Sequence, residues 1–268
     1  MTCSGKHAFS SEVGYGLFAE RKQFAFTEGE QREIGQMGRR MDFLAKATIF
    51  EEGEPKVAVY TLRRGIAVRY RAKADGRKQI VGFALPGDFL NSPFADRHTC
   101  SVEMISQATA CQFPKRRFLA FLEGHPKILR ELLETYSQEI DATYEHMLLL
   151  GRGTAEEKFV EFIIRWRARV GRKGALANLV PLPMSRRDIA DYLGLTIETV
   201  SRLLAKLERE NVVRVIPEGL QLMGPTERPL LFERSYKNRR IERETAARTS
   251  RRDLCDARCR VIFRGLGG

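Results

Sequence analysis

The sequence is short of several features that would each define a class of protein. Its five cysteines (Cys3, Cys100, Cys111, Cys255 and Cys259) are odd in number and scattered over 268 residues. That spacing argues against a disulfide framework and for a reducing cytoplasm. No run approaches the roughly 18 consecutive apolar residues of a membrane span, so no membrane partner is expected. The opening stretch, MTCSGKHAFSSEVGYG, lacks the apolar core and small-residue cleavage site of a secretory signal. There is no Gly-rich phosphate loop, no paired carboxylates in a cleft motif and no nucleophile–base spacing, so an enzyme is not expected. Acid is scarce as well: 34 Asp+Glu stand against 46 Lys+Arg, a net charge of +12 and a pI near 9.7. Such a surface suits a polyanion, nucleic acid above all.

What is present divides the chain into five parts. Residues 1–22 are small and polar and read as a flexible arm. Residues 23–120 carry short apolar or alternating runs, among them 47–50, 57–62, 65–70 and 79–85, punctuated by Glu52-Gly53, Asp75-Gly76 and Pro86-Gly87-Asp88. Many short strands at this spacing predict an antiparallel roll or sandwich in an α+β chain. Residues 121–151 form a dimerisation-helix segment whose period turns helical between Pro126 and Leu150, with Ile128, Leu132, Tyr136, Ile140, Thr143, Met147 and Leu150 on one stripe, widened by Leu129, Leu133, Tyr144 and Leu148. About 25 helical residues span roughly 37 Å, longer than a roll of this size needs. One stripe can cover the roll while the other meets a second copy, although a long core helix in a monomer would carry the same pattern. Gly151-Arg-Gly153 breaks this helix and Thr154 caps the next. Residues 152–225 follow as a compact basic domain. Residues 226–268 form a basic tail, expected to be disordered, whose last 35 residues hold 11 Lys+Arg and 4 Asp+Glu.

The most specific stretch is LPMSRRDIADYLGLTIETVSRLLAKLERENVV, from Leu182 to Val213. Ser185 caps a first helix, Gly194 makes the turn, and Thr196 caps a second helix that runs to about Arg209. Ala190 is small enough to let the two helices approach, and Val200 and Leu203 lock the second against the first, as a helix-turn-helix requires. At about 100° per residue, Val200, Leu203, Leu204 and Leu207 gather on one side of the second helix. Glu198, Ser201, Arg202, Ala205 and Arg209 gather on the other. Any surface helix has a charged face, but here the chemistry matches base edges. Arg202 can bond to guanine O6 and N7, Glu198 can accept from cytosine N4, and Ser201 can reach a neighbouring base. Ser185, Arg186, Arg187, Thr196, Thr199, Lys206 and Arg209 are candidates for phosphate contacts that set the register. The runs 211–216 and 220–223, around Pro217-Glu-Gly219, read as a β-hairpin wing.

Thr196-Ile-Glu-Thr-Val-Ser-Arg202, preceded by Asp188-Ile-Ala-Asp-Tyr-Leu-Gly194, resembles the recognition element of the Crp/Fnr bacterial transcription regulators. The resemblance extends to 150–158 and to Pro86-Gly-Asp88, covering roughly residues 25–225. It implies a homodimer with an N-terminal jelly roll like those that bind cyclic nucleotides, a long dimerisation helix and a C-terminal winged helix-turn-helix. It also implies an Fnr-type reading of TTGAT-type inverted repeats by Glu198, Ser201 and Arg202, with RNA polymerase as a partner.

The signal is less legible. Nucleotide-binding members of this family carry Gly-Glu and, about ten residues on, Arg followed by Ser or Thr. This chain has Gly87-Asp88 and Arg97-His98-Thr99, a shorter acid at shifted spacing. An Fnr-type iron–sulfur cluster needs several thiolates, and only Cys3 in the arm and Cys111 in the roll match. Cys111 reads as a core residue. A haem would need an axial ligand, for which His7, His98, His125 and His146 are the histidines available. Cys255 and Cys259 read as a chance pair. No cofactor and no metal is therefore expected, and the chain looks most like the FixK branch, which implies an activator of nitrogen-fixation, microaerobic or denitrification genes. The alternatives are a sensor of the same family whose DNA binding depends on a cyclic nucleotide, haem or iron–sulfur cluster, and a module that acts mainly through protein contacts.

Overall fold

The computed structural model describes residues 26–72, 76–171 and 178–223. The expected arm and tail, with Cys3, His7, Cys255 and Cys259, lie outside the described residues. The chain divides after Gln221 into two compact units, and the first holds every element below except the last residue of the final strand.

The roll opens with a helix where the sequence suggested only strands. In α1 (Glu28–Met37), Thr27 and Glu30 form a capping box: the Thr27 hydroxyl accepts from the Glu30 amide at 3.3 Å, and the Glu30 carboxylate accepts from the Thr27 amide at 2.6 Å. Seven strands follow: β1 (Arg39–Phe43), β2 (Thr48–Phe50), β3 (Ala58–Arg64), β4 (Ala67–Ala72), β5 (Lys78–Ala84), β6 (Ser101–Met104) and β7 (Ala108–Pro114). They form two antiparallel sheets, ordered β1-β7-β3 and β2-β6-β4-β5.

Alternation along the strands shows how the layers are filled. Ala58, Tyr60 and Leu62 of β3 and Ala108 and Ala110 of β7 join one core with Phe50, Leu90, Val102 and Met104. Val59, Cys111 and Phe113, the intervening residues, join a second core with Ile34 of α1. Both faces of these strands are buried, which is why β3 reads as a continuous apolar run. The outer face is closed by α2 (Lys115–Gly124), through Phe118, Phe121 and Leu122, and by the start of α3 (Pro126–Arg152), through Ile128 and Leu132.

The long helix starts at Pro126, as its period predicts and in the first-turn position that suits proline, while residues 121–124 of that segment belong to α2. It runs through Gly151 and ends at Gly153, whose extended backbone (φ −72°, ψ 139°) stops it.

The C-terminal part begins with α4 (Ala155–Val170), capped by Thr154 as expected, with Glu157 completing a capping box. There follow β8 (Leu179–Pro181), α5 (Arg186–Leu193), α6 (Ile197–Arg209), β9 (Val213–Ile216) and β10 (Gly219–Leu222). The expected two-stranded wing is a three-stranded sheet, ordered β8-β10-β9. Trp166 of α4 anchors it, its indole N–H donating to the Pro181 carbonyl at 2.6 Å.

This winged helix packs directly on the roll. Phe83 of β5 meets the rings of Phe162, Trp166 and Tyr192 at 5.3–6.2 Å. The Gln79 amide donates to the Asp191 carbonyl. At the centre of the seam, Asp88 and Arg169 form an ion pair at 2.7 Å, their side chains 0% and 6% exposed. Among the described residues no helix is long and apolar enough to cross a membrane.

Candidate nucleic-acid interface

The interface is built from its helix caps outward. Ser185 begins α5: its hydroxyl accepts from the Asp188 amide at 3.1 Å, and the Asp188 carboxylate accepts from the Ser185 amide at 2.8 Å. Gly194 ends α5 in the left-handed region (φ 61°, ψ 39°), a conformation glycine adopts without steric cost, and turns the chain into α6. Thr196 caps α6, its hydroxyl accepting from the Thr199 amide at 3.2 Å. Ile189, Ala190 and Leu193 on α5 and Val200, Leu204 and Leu207 on α6 are buried, while Leu203, expected to lock the pair, is half-buried.

The opposite face of α6 is turned outward, as its periodicity predicts. Glu198, Arg202, Ala205 and Arg209 are exposed and Ser201 is half-buried. The Arg202 Nε lies 3.4 Å from the Glu198 carbonyl, laying the guanidinium along the helix, and an Arg186 Nη1 lies 3.4 Å from the Ser201 hydroxyl. Glu198 has its carboxyl held below the usual carboxylate range by its own backbone amide, then by the Thr196 hydroxyl and the charges of Arg202 and Arg187. It therefore remains an acceptor, the state needed to accept a hydrogen bond from an exocyclic amine.

The candidate phosphate-binding groups divide into two kinds. Arg186, Arg187 and Arg209 present exposed guanidinium groups beside this face. The hydroxyls of Ser185, Thr196 and Thr199 are engaged in the two caps. Lys206 pairs with Glu156 of α4 at 2.8 Å, which raises its pKa and commits it to holding α6 against α4. Serving a phosphate would mean giving up that pair.

The long helix requires a correction. Ile128 and Leu132, expected at a dimer interface, are buried in the second core of their own chain. Tyr136 is half-buried and meets Phe94 edge to face at 6.1 Å, and Leu150 is half-buried too. Thr143 is exposed, its hydroxyl bonded to the Glu139 carbonyl at 2.7 Å. The outward apolar face consists of Leu133, Ile140, Tyr144, Met147 and Leu148, each more than half exposed. Three of these were read only as widening the stripe. Their 7-4-3-1 spacing was the available signal, but periodicity alone does not tell which of two apolar stripes faces the roll.

The residues that would hold a cyclic nucleotide do not fit one. The Asp88 carboxylate is taken by Arg169 and by the Leu85 amide at 2.9 Å. The Arg97 guanidinium donates to the Gly53 carbonyl at 2.7 Å, and His98 stacks on Phe50 at 3.7 Å, with burial pushing its pKa down to about 4. Cys111 is buried in the core, and burial pushes the Cys100 thiol up, away from thiolate. His125 and His146 pack against Phe121 and Tyr192, at 4.3 Å in each case.

An antiparallel roll, a long helix with an outward apolar face and a winged helix-turn-helix with an outward polar face define a DNA-binding regulator with a sensor-type first domain. Residues 182–213 match the family described as bacterial regulatory proteins, crp family, and residues 40–125 match the cyclic nucleotide-binding domain. The nitrogen fixation regulation protein FixK of Bradyrhizobium diazoefficiens is 45% identical over 73% of this chain and 83% of its own. The transcriptional activatory protein AadR of Rhodopseudomonas palustris is 41% identical over 73% and 82%. The structure of FixK2 from Bradyrhizobium japonicum superposes with a TM-score of 0.66 and 31% identity, covering 72% of this chain and 95% of that one. The chain belongs to the Crp/Fnr family of bacterial transcription regulators, in its FixK-like branch; it is a DNA-binding regulator and not an enzyme.

Proposed function

We propose that the protein acts in the cytoplasm as a homodimer that binds TTGAT-type inverted repeats and, through contact with RNA polymerase, activates nitrogen-fixation, microaerobic or denitrification genes. The observation that carries the DNA reading is the outward face of α6, where an ionised Glu198, Ser201 and Arg202 stand opposite a buried apolar face. Phosphates attract the basic surface without regard to sequence, and Arg202 and Glu198 then read the two halves of a G·C pair. The outward stripe of α3 supports dimerisation: five large apolar side chains in solvent on one helix face is a surface that a second copy can cover. Two copies would set their recognition helices one helical turn of DNA apart, about 34 Å. The names of the relatives FixK and AadR support the class of target genes and the activating role.

We further propose that no cofactor is needed for DNA binding, because Asp88, Arg97 and Cys111, which would serve one, are tied into the fold. Footprinting of purified protein on a TTGAT-type inverted repeat, with sedimentation analysis alongside, tests the reading. Protection of both half-sites by a dimer, steeply salt-dependent and unchanged by added cyclic nucleotide, haem or air, is expected. A monomer, protection of one half-site only, or binding that appears only after a cofactor is added would overturn the corresponding part. Ile140→Glu, on the outward stripe, should convert the dimer to monomer with little change in fold.

A further inference from the structure

The buried ion pair at the seam joins residues 81 positions apart. Asp88 closes the turn after β5 and is pinned there: its amide donates to the Leu85 carbonyl at 3.0 Å, and its carbonyl accepts from the Leu62 amide of β3 at 2.9 Å. Arg169 sits in the last turn of α4 and makes two directed bonds into the roll, from Nη2 to the Asp88 carboxylate and from Nη1 to the Phe83 carbonyl at 2.9 Å. Helix α4 carries the rest of the domain with it, through Trp166 to β8 and through Glu156 to Lys206 of α6. Arg169, with the Gln79–Asp191 bond, is thus one of the directed links between the recognition domain and the roll.

We propose that Asp88 and Arg169 are positioning residues for DNA recognition: their pair fixes the angle of the winged helix on the roll, and so the separation of the two recognition helices in the dimer. The aromatic contacts around Phe83, tilted or edge-on at 53–71°, set a looser angular preference than a buried ion pair does. A buried ion pair adds little net stability, but any other docking angle leaves two buried charges uncompensated, which selects one angle. This rests on the reading of the chain as a dimer on an inverted repeat.

The test uses the full-length protein and the double variant D88N/R169Q, which removes both charges and the two guanidinium bonds while leaving polar side chains at both positions. Binding is measured to a TTGAT-type inverted repeat, to the same repeat with one or two base pairs added at its centre, and to a single half-site. The native protein should lose about tenfold or more in affinity on the respaced repeats. The double variant should lose less than about threefold there, while its preference for the half-site over random DNA and its circular dichroism match those of the native protein. A double variant that keeps the full spacing penalty overturns the proposal. A native protein indifferent to spacing overturns the inverted-repeat reading itself. If the double variant does not fold, D88N alone, isosteric with the native side chain, removes one of the two charges and should relax the spacing penalty by about threefold, and an unchanged penalty again defeats the proposal.

Discussion

Two acid–arginine pairs, Asp88 with Arg169 between the roll and α4 and Glu198 with Arg202 on α6, end in opposite surroundings. Asp88 is fully buried and meets Arg169 from the other domain. Glu198 and Arg202 are exposed, a turn apart on one helix, with nothing from the roll over them. The difference comes from what covers each element. The turn after β5 faces the end of α4, so water is excluded and charge must be compensated in place. The outer face of α6 is approached only at Ser201, by Arg186, so the charges of Glu198 and Arg202 remain exposed. The first pair shapes the molecule, and the second is available to a partner.

The contrast should be largest in stability. Asp88→Ala leaves a buried guanidinium uncompensated and should cost about 3–5 kcal/mol, whereas Glu198→Ala should cost within about 0.5 kcal/mol. Denaturant unfolding of the two variants decides it, and comparable losses would erase the distinction. DNA binding should reverse the order. Arg202→Ala should lose about 1–3 kcal/mol on the specific repeat and relax discrimination at the guanine, while Arg187→Ala weakens all sequences alike and lowers the salt slope by about one. Equal losses for Arg202→Ala on specific and random DNA would remove its role as a reader.

A third effect belongs to the roll alone. Burial, with Lys56 adding to it, pushes His98 down to about 4 from its usual 6.5. Between those values the unfolded chain takes up a proton that the folded chain refuses. The stabilisation is therefore complete above pH 6.5 and is lost as pH falls towards 4, by about 1–3 kcal/mol in all. Unfolding midpoints measured across that window for the native protein and for His98→Phe, which keeps the ring on Phe50, should diverge, and parallel curves would exclude His98 as the cause. The smallest effect lies at the caps: Ser185→Ala and Thr154→Ala should each cost about 1 kcal/mol. For Ser185→Ala, the loss of DNA affinity should not exceed the loss expected from a frayed α5.

Much of the DNA-binding half was legible residue by residue. Ser185, Gly194 and Thr196 lie where caps and a turn must lie, and the opposed faces of α6 follow from a period of 3.6. The roll was legible as short strands, but α1 was not anticipated, although Thr27 and Glu30 carry the capping-box spacing. β8 escaped because three residues hold too little pattern to read. The inward phase of Ile128 and Leu132 escaped because either stripe of α3 could have faced the roll.

Local periodicity and cap chemistry alone determined the helix-turn-helix and the outward polar face of α6, because each depends on neighbours within a few turns of chain. Which stripe of α3 is outward, and that Asp88 pairs with Arg169 of α4, were decided only in three dimensions. Both depend on desolvation by distant segments, and burial is a property of the packed molecule that no local spacing encodes.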